Sequence, residues 1–232
     1  MKQTLRDGLP ELPLALSDEQ IDALCAFGDA LLAKNQVMNL TAITDPREVA
    51  RLHFLDCLAL GNLLELSGKD VIDVGCGAGF PGTPLKIAFP DVHLTLLDSL
   101  TKRIDWLRET LPELGVEAEC ISARAEEFAG DHRETYDVAL SRAVARLNVL
   151  SELCLPLVRV GGAFLAMKGV DSDEELSQAA HGISVLGGKV EKIADYRVPG
   201  TEVFHRAVVI RKVRPTPKQY PRRFAKIKQS PL

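Results

Sequence analysis

The chain has 232 residues, of which 46% are hydrophobic and 26% charged; this composition excludes wholesale disorder and suits one α/β domain with an added segment. No apolar run approaches the roughly 18 residues of a membrane span, and the first residues do not resemble a secretion signal. Net charge is −4, yet residues 207–232 hold eight Lys and Arg and no Asp or Glu, a distribution that fits either contact with a polyanion or a plain solvated tail.

The five cysteines, Cys25, Cys57, Cys76, Cys120 and Cys154, include no C-x-x-C pair. A disulfide framework or a structural zinc is therefore not expected. The composition predicts a cytoplasmic protein with no metal and no membrane association.

Residues 1–65 are predicted to form a helical extension. Ser17-Asp18-Glu19-Gln20 has the form of a capping box, and Ile21, Leu24, Gly28, Leu31 and Leu32 follow at helical spacing. Asp45-Pro46-Arg47-Glu48 opens another helix, with Asp as cap and Pro in first position. His53 and Asp56 stand three apart on it, so a regular helix would place them on one face.

From residue 66 to 213 the pattern alternates between strands and helices. Val71–Val74 reads as a buried strand, followed by a Gly-rich turn and a helix from about Thr83. Strands are expected at 92–98, 116–122, 136–141 and 162–168, with helices between them. Segments 190–198 and 204–213 are joined by the turn Pro199-Gly200-Thr201-Glu202. Two strands in succession imply an antiparallel pair closing a parallel sheet. Residues 214–232 form the basic tail. The three parts are expected to make one structural unit.

The segment Asp73-Val74-Gly75-Cys76-Gly77-Ala78-Gly79-Phe80-Pro81-Gly82 carries the functional signal. Taken alone, Gly77-x-Gly79-x-x-Gly82 matches a dinucleotide fingerprint. Two carboxylates shift that reading. Asp73, two residues before Gly75, would repel a pyrophosphate and attract a cationic amino-acid moiety; it could equally serve as a helix cap. Asp98 ends the second strand, where a carboxylate can accept from both ribose hydroxyls of an adenosine.

This combination resembles the class I S-adenosylmethionine-dependent methyltransferases, with Asp73–Gly79 as their first motif and Asp98 as their second. The resemblance extends over nearly the whole chain to the bacterial 16S ribosomal RNA guanine-N7 methyltransferases, the glucose-inhibited division protein B family. It runs through Asn39-Leu40-Thr41, Arg51 with His53 and Asp56, Leu96-Leu97-Asp98-Ser99-Leu100 with Lys102-Arg103, and Arg124-Ala125-Glu126-Glu127. It continues through Ser141-Arg142-Ala143, Met167-Lys168-Gly169 and Lys218-Gln219-Tyr220-Pro221-Arg222-Arg223.

The implied fold is a Rossmann-like, mostly parallel seven-stranded sheet with an antiparallel terminal strand behind an N-terminal helical segment. The implied reaction is methyl transfer from S-adenosyl-L-methionine, leaving S-adenosyl-L-homocysteine. The methyl acceptor that the resemblance implies is N7 of guanine 527 in the 530 loop of 16S rRNA, within a small-subunit ribosomal particle. The implied cofactor residues are Asp73, Gly75, Gly77, Gly79, Phe80, Asp98, Ala125, Glu126 and Arg142.

Guanine N7 has an in-plane lone pair and no proton, so no obligatory general base is expected. Consistently, Ser141-Arg142-Ala143-Val144 stands where amino-group methyltransferases carry Asn/Asp-Pro-Pro-aromatic. Arg142, His53, Lys102 and Lys168 are the candidates for positioning the substrate, with a structural His53–Asp56 pair as the alternative for His53. Lys102, Arg103, Arg124, Arg146, Arg222 and Arg223 are the candidate RNA contacts; pairing with neighbouring carboxylates is the alternative for each. Phe80 reads as a core residue as readily as a cofactor contact. Other classes compatible with the sequence are a nicotinamide-dependent oxidoreductase, a non-catalytic RNA-binding module, and a methyltransferase acting on another RNA or a small molecule.

Overall fold

A computed structural model describes residues Met1–Leu232. Helix α1 (Lys2–Gly8) leads to α2 (Asp18–Asn35), and the capping box forms as the sequence predicts. The Ser17 hydroxyl accepts from Gln20 N at 3.2 Å, and Gln20 Oε1 accepts from Ser17 N at 2.8 Å. The Gln20 amide also donates to the Ile87 and Ala88 carbonyls, which docks α2 against the end of α5 (Gly82–Ala88). Asp45 caps α3 (Pro46–Val49) by accepting from Arg47 N and Glu48 N.

The helix predicted from Asp45 onward is not regular. Between α3 and α4 (Asp56–Leu58) it widens into a π-helical turn, Ala50–Leu55. A π turn holds more residues per revolution than an α turn, so residues three apart no longer stack. His53 and Asp56 both meet Arg142 but make no hydrogen bond to each other, and the direct pair read from the spacing does not form.

The sheet has the order β3-β2-β1-β4-β5-β7-β6. Strands β1 (Asp70–Val74), β2 (His93–Asp98), β3 (Glu119–Ser122), β4 (Tyr136–Arg142) and β5 (Val158–Gly169) pair in parallel. Strand β7 (Phe204–Lys212) runs antiparallel to both β5 and β6 (Gly188–Arg197). This is the mostly parallel seven-stranded sheet expected from the sequence. The chain order reverses between β1 and β4, which makes the carboxyl ends of those strands the topological switch point where α/β sheets bind ligands.

Alternation along β1 fixes what each residue meets. Ile72 and Val74 pack into the core shared with α8 (Leu147–Cys154) and α9 (Asp173–Val185). Val71 packs into the opposite core, with the N-terminal helices, α5 and α6 (Thr101–Glu113). Asp73 faces that same side and is fully buried.

The basic segment is docked. The Arg133 guanidinium donates to the carbonyls of Thr216, Pro217 and Tyr220, and Ile227 of α10 (Phe224–Gln229) is buried in the second core. Lys212 pairs with Glu134, Arg211 with Glu191, and Arg222 with Glu152. These pairs hold three of the eight tail cations, and Arg214 donates to the Ser184 carbonyl; Lys218, Arg223, Lys226 and Lys228 remain exposed without a carboxylate partner. No helix is long and apolar enough to cross a membrane.

Candidate functional site

A cavity of about 470 Å3 opens at the switch point. Its floor is the turn after β1, its sides are the loops after β2 and β4 with α7 (Ala125–Phe128), and α10 contributes Phe224 to the rim. Of the residues predicted to hold a cofactor, Gly75, Gly77, Phe80, Asp98, Ala125, Glu126 and Arg142 all line it. Asp73 and Gly79 do not.

Asp73 lies behind the turn. Its Oδ2 accepts from Gly82 N at 2.8 Å, and its Oδ1 is buried without a partner. A Cβ at position 82 would come within 3.0 Å of that carboxylate, so glycine lets the start of α5 close onto Asp73. The expectation that this carboxylate meets the ligand is corrected: it caps the helix and shapes the turn, because strand alternation turns it away from the cavity. Burial pushes its pKa up to about 7.

This raised value has a stability consequence. A carboxyl that ionises less readily folded than unfolded binds more protons in the native state. Stability therefore falls as pH rises from about 4 to about 7, by on the order of 1–4 kcal/mol. Asp73→Asn keeps an acceptor for Gly82 N and removes the titration. Urea unfolding at a series of pH values is expected to show the wild type losing ground to the variant across that window; parallel curves would contradict it.

The turn itself discriminates between ligands. Gly75 N and Cys76 N donate to the Leu97 carbonyl, Gly79 N and Phe80 N to the Cys76 carbonyl, and Thr83 N to the Gly79 carbonyl. Gly77 N donates to Asp98 Oδ2 at 2.9 Å. With Gly82 N held by Asp73, seven amides between residues 75 and 83 are engaged and Ala78 N alone is left, too few to cradle a pyrophosphate as a dinucleotide site does. The nicotinamide-dependent alternative loses its physical basis here.

Asp98 Oδ1 accepts from Leu100 N at 2.8 Å. Each carboxylate oxygen keeps a further lone pair, and the residue lines the cavity, so it is braced by backbone and still able to accept from a ligand's hydroxyls. Gly75 has φ +72°, and a Cβ there would strike Val144 Cγ2 at 2.4 Å. Val144 leans over the turn from a loop in which Ala143 has φ +55°. A non-glycine residue in that region is strained, and such strain collects at binding sites.

Arg142 stands where this cavity meets a second one. Its guanidinium lies 4.9 Å from the Phe80 ring centroid and donates toward the Leu52 carbonyl, Asp56 Oδ2 and His53 Nδ1. The His53 ring stacks on Phe80 at 4.6 Å, and its Nε2 is 2.9 Å from Thr41 Oγ1. Burial, reinforced by the Arg142 charge, lowers the His53 pKa to about 4. His53 is therefore neutral at physiological pH with both nitrogens engaged. Phe80 is both core and lining: it packs on Phe27 and Phe54 and faces the cavity.

The predicted cations separate into two groups. Lys102, Arg103, Arg124 and Arg146 at the carboxyl ends of the strands, and Arg223 in the tail, have no carboxylate within 4.0 Å. Arg124 instead lies over the Phe224 ring, and Arg103 lines the cavity. Lys168 and Arg222 belong to the other group. Lys168 pairs with Glu175 at 2.5 Å and donates to the Ala145 carbonyl, and Arg222 makes a bidentate pair with the fully buried Glu152. Their expected RNA-facing or substrate-positioning roles give way to structural ones.

Several site residues were not found from the sequence. Asn35, not Asn39, organises the loop at the cavity mouth: its Oδ1 accepts from Leu40 N and Thr41 N, and its Nδ2 donates to the Thr41 carbonyl. Leu40 and Thr41 line the cavity, while Asn39 is exposed. Asp56 accepts from the Tyr196 hydroxyl at 2.9 Å and lies 2.8 Å from His205 Nδ1. These contacts join residues about 140 positions apart, beyond the reach of local spacing.

The family model described as rRNA small subunit methyltransferase G matches residues 20–202. The chain is 47% identical to ribosomal RNA small subunit methyltransferase G of Alkaliphilus metalliredigens, over 96% of this chain and 95% of that protein. It is 43% identical to the protein of the same name from Acetivibrio thermocellus, over 100% of this chain and 97% of that one. Among solved structures, a SAM dependent methyltransferase from Aquifex aeolicus superposes with a TM-score of 0.53 at 18% identity, over 73% of this chain and 94% of that one. Precorrin-6y C5,15-methyltransferase from Geobacter metallireducens gives a TM-score of 0.51 at 14% identity, over 76% and 92%. These two likenesses show a methyltransferase fold. The sequence relationships go further: the protein belongs to the rRNA small subunit methyltransferase G family.

Proposed function

We propose that the protein transfers a methyl group from S-adenosyl-L-methionine to N7 of guanine 527 in the 530 loop of 16S rRNA, acting on a small-subunit ribosomal particle. The observation that carries this function is the switch-point cavity. All but one of its turn amides are already satisfied, a braced Asp98 is ready for ribose hydroxyls, and the unpaired cations Arg103 and Arg124 line it.

The residues present fit the cofactor. Asp98 accepts from the ribose, Ala125 and Glu126 lie along the adenine edge, and Gly75 leaves room for close approach of the methionine part. When bound, the cofactor contributes an electrophilic methyl on a sulfonium sulfur. The acceptor N7 has a free lone pair and no proton to lose, so this chain's task is alignment and exclusion of water. Arg142, immobilised between Phe80, His53 and Asp56, fixes the wall on which the acceptor must rest. His53, itself neutral and with both nitrogens engaged, holds that wall in place and is not a proton carrier.

The methylation rate at saturating substrates is therefore expected to show no acidic limb between pH 6 and 9, since no group must lose a proton. A bell-shaped profile with a limb near neutrality would point to a general base. Unpaired Lys102, Arg103, Arg124, Arg146 and Arg223 supply the phosphate contacts. Replacing any one of them by Ala is expected to weaken RNA binding and lower the salt slope of log Kd by about 1. An unchanged slope for all five would remove RNA from this face.

A further inference from the structure

A second cavity, of about 550 Å3, adjoins the first and shares His53, Arg142 and Ala143 with it. Its other walls include apolar Ile43, Leu52, Met167 and Val203, with Asp56, Lys168 and His205 as the remaining charged or titratable lining. Resting on the function proposed above, we propose that this cavity seats the target guanine turned out of its RNA stack, and that His205 donates the hydrogen bond that recognises the purine O6.

Chemistry on a base requires the base to leave its stack, and apolar walls suit its two faces. The shared wall puts one edge of a base in this cavity against the end of the cofactor cavity. N7 does not by itself specify guanine, because adenine has it too. The two purines differ beside it: guanine presents the O6 acceptor and adenine the N6 amino donor. A fixed donor in the cavity therefore accepts guanine and leaves adenine's amino group facing another hydrogen.

Four lining side chains have N–H groups. Lys168 is drawn to Glu175 and the Ala145 carbonyl. Both His53 nitrogens are engaged, by Thr41 and Arg142. Arg142 is turned to the Leu52 carbonyl, Asp56 and His53. Two nitrogens have no partner: Arg142 Nε, in a guanidinium held over the Phe80 ring at the wall shared with the cofactor cavity, and His205 Nε2, on the far edge of a ring whose Nδ1 lies 2.8 Å from Asp56 Oδ1; of the two residues, His205 belongs to this cavity alone. Asp56 is itself buried and held by the Tyr196 hydroxyl, so the imidazole has a fixed orientation. With Nδ1–H directed at Asp56, Nε2 carries a proton in the imidazolium form, and the hydrogen bond to the Asp56 carboxylate favours that form by raising the His205 pKa.

The test uses small subunits reconstituted around 16S RNA with either guanine or 2,6-diaminopurine at the target position. The second purine keeps N7 and replaces O6 by an amino group. Wild type is expected to prefer guanine by about 100-fold in kcat/KM. His205→Ala is expected to reduce that preference to within about 3-fold, mainly by losing rate on guanine, with its calorimetric affinity for S-adenosylmethionine within about 2-fold of wild type. An undiminished preference in His205→Ala overturns the O6 assignment while leaving the methylation function standing. A wild type that methylates neither substrate overturns the function and this inference together. Val203→Trp, which fills the cavity from its half-open rim, gives an independent reading if His205→Ala does not fold. It is expected to cut kcat/KM on guanine by at least about 30-fold with donor affinity intact, and an unchanged kcat/KM overturns the placement of the base.

Discussion

Arg222→Ala is expected to destabilise the protein by about 3–5 kcal/mol, measured by urea unfolding. Glu152 is fully buried in α8, and Arg222 meets it with its backbone amide, Nε and Nη2 at 2.9, 2.8 and 2.6 Å. Removing the guanidinium leaves a buried carboxylate whose remaining partner is the backbone amide of residue 222. Arg222→Lys restores a charge but not the fork geometry, so it is expected to recover only part of the loss. The neighbouring Arg223→Ala, exposed and unpaired, is expected to change stability by no more than about 0.5 kcal/mol while still weakening RNA binding. A small stability change for Arg222→Ala, accompanied by loss of RNA affinity, would return Arg222 to the RNA-facing group.

Asp98→Ala is expected to raise the Kd for S-adenosylmethionine by on the order of 100-fold, or about 3 kcal/mol. Two effects add. The ribose loses a charged acceptor, and Gly77 N and Leu100 N lose the carboxylate that braces the turn. Affinity for RNA, which rests on phosphate contacts elsewhere, is expected to stay near wild type. Calorimetry with the cofactor and filter binding with RNA separate the two. A cofactor Kd within about 3-fold of wild type would rule out Asp98 as the ribose anchor.

Local pattern carried much of the fold. The capping box at Ser17, the Asp45 cap, the alternation in β1 and the closing antiparallel pair are short-range signals, and each appears in the structure. The turn and Asp98 were readable for the same reason: their chemistry is tied to a strand end and its loop. The π turn at Ala50–Leu55 was not, because helical periodicity cannot reveal one extra residue in a turn, and the expected His53–Asp56 pair failed with it. The roles of Asp73, Lys168 and Arg222 were misread for another reason. A charged residue in a sequence does not disclose which carboxylate or amide the fold brings to it; Glu175, Glu152 and Gly82 did so here. The Asp56–His205–Tyr196 cluster needed helix α4 from the first part of the chain to meet β6 and β7 from the last.

The most direct trial is to incubate purified protein with small ribosomal subunits lacking the modification and isotopically labelled S-adenosylmethionine, then digest the RNA and locate the label by mass spectrometry. One 7-methylguanosine per 16S RNA is expected, at position 527, and none when Asp98→Ala replaces wild type at a low donor concentration. Label on another atom, at another nucleotide, or on no RNA at all would contradict the proposed reaction.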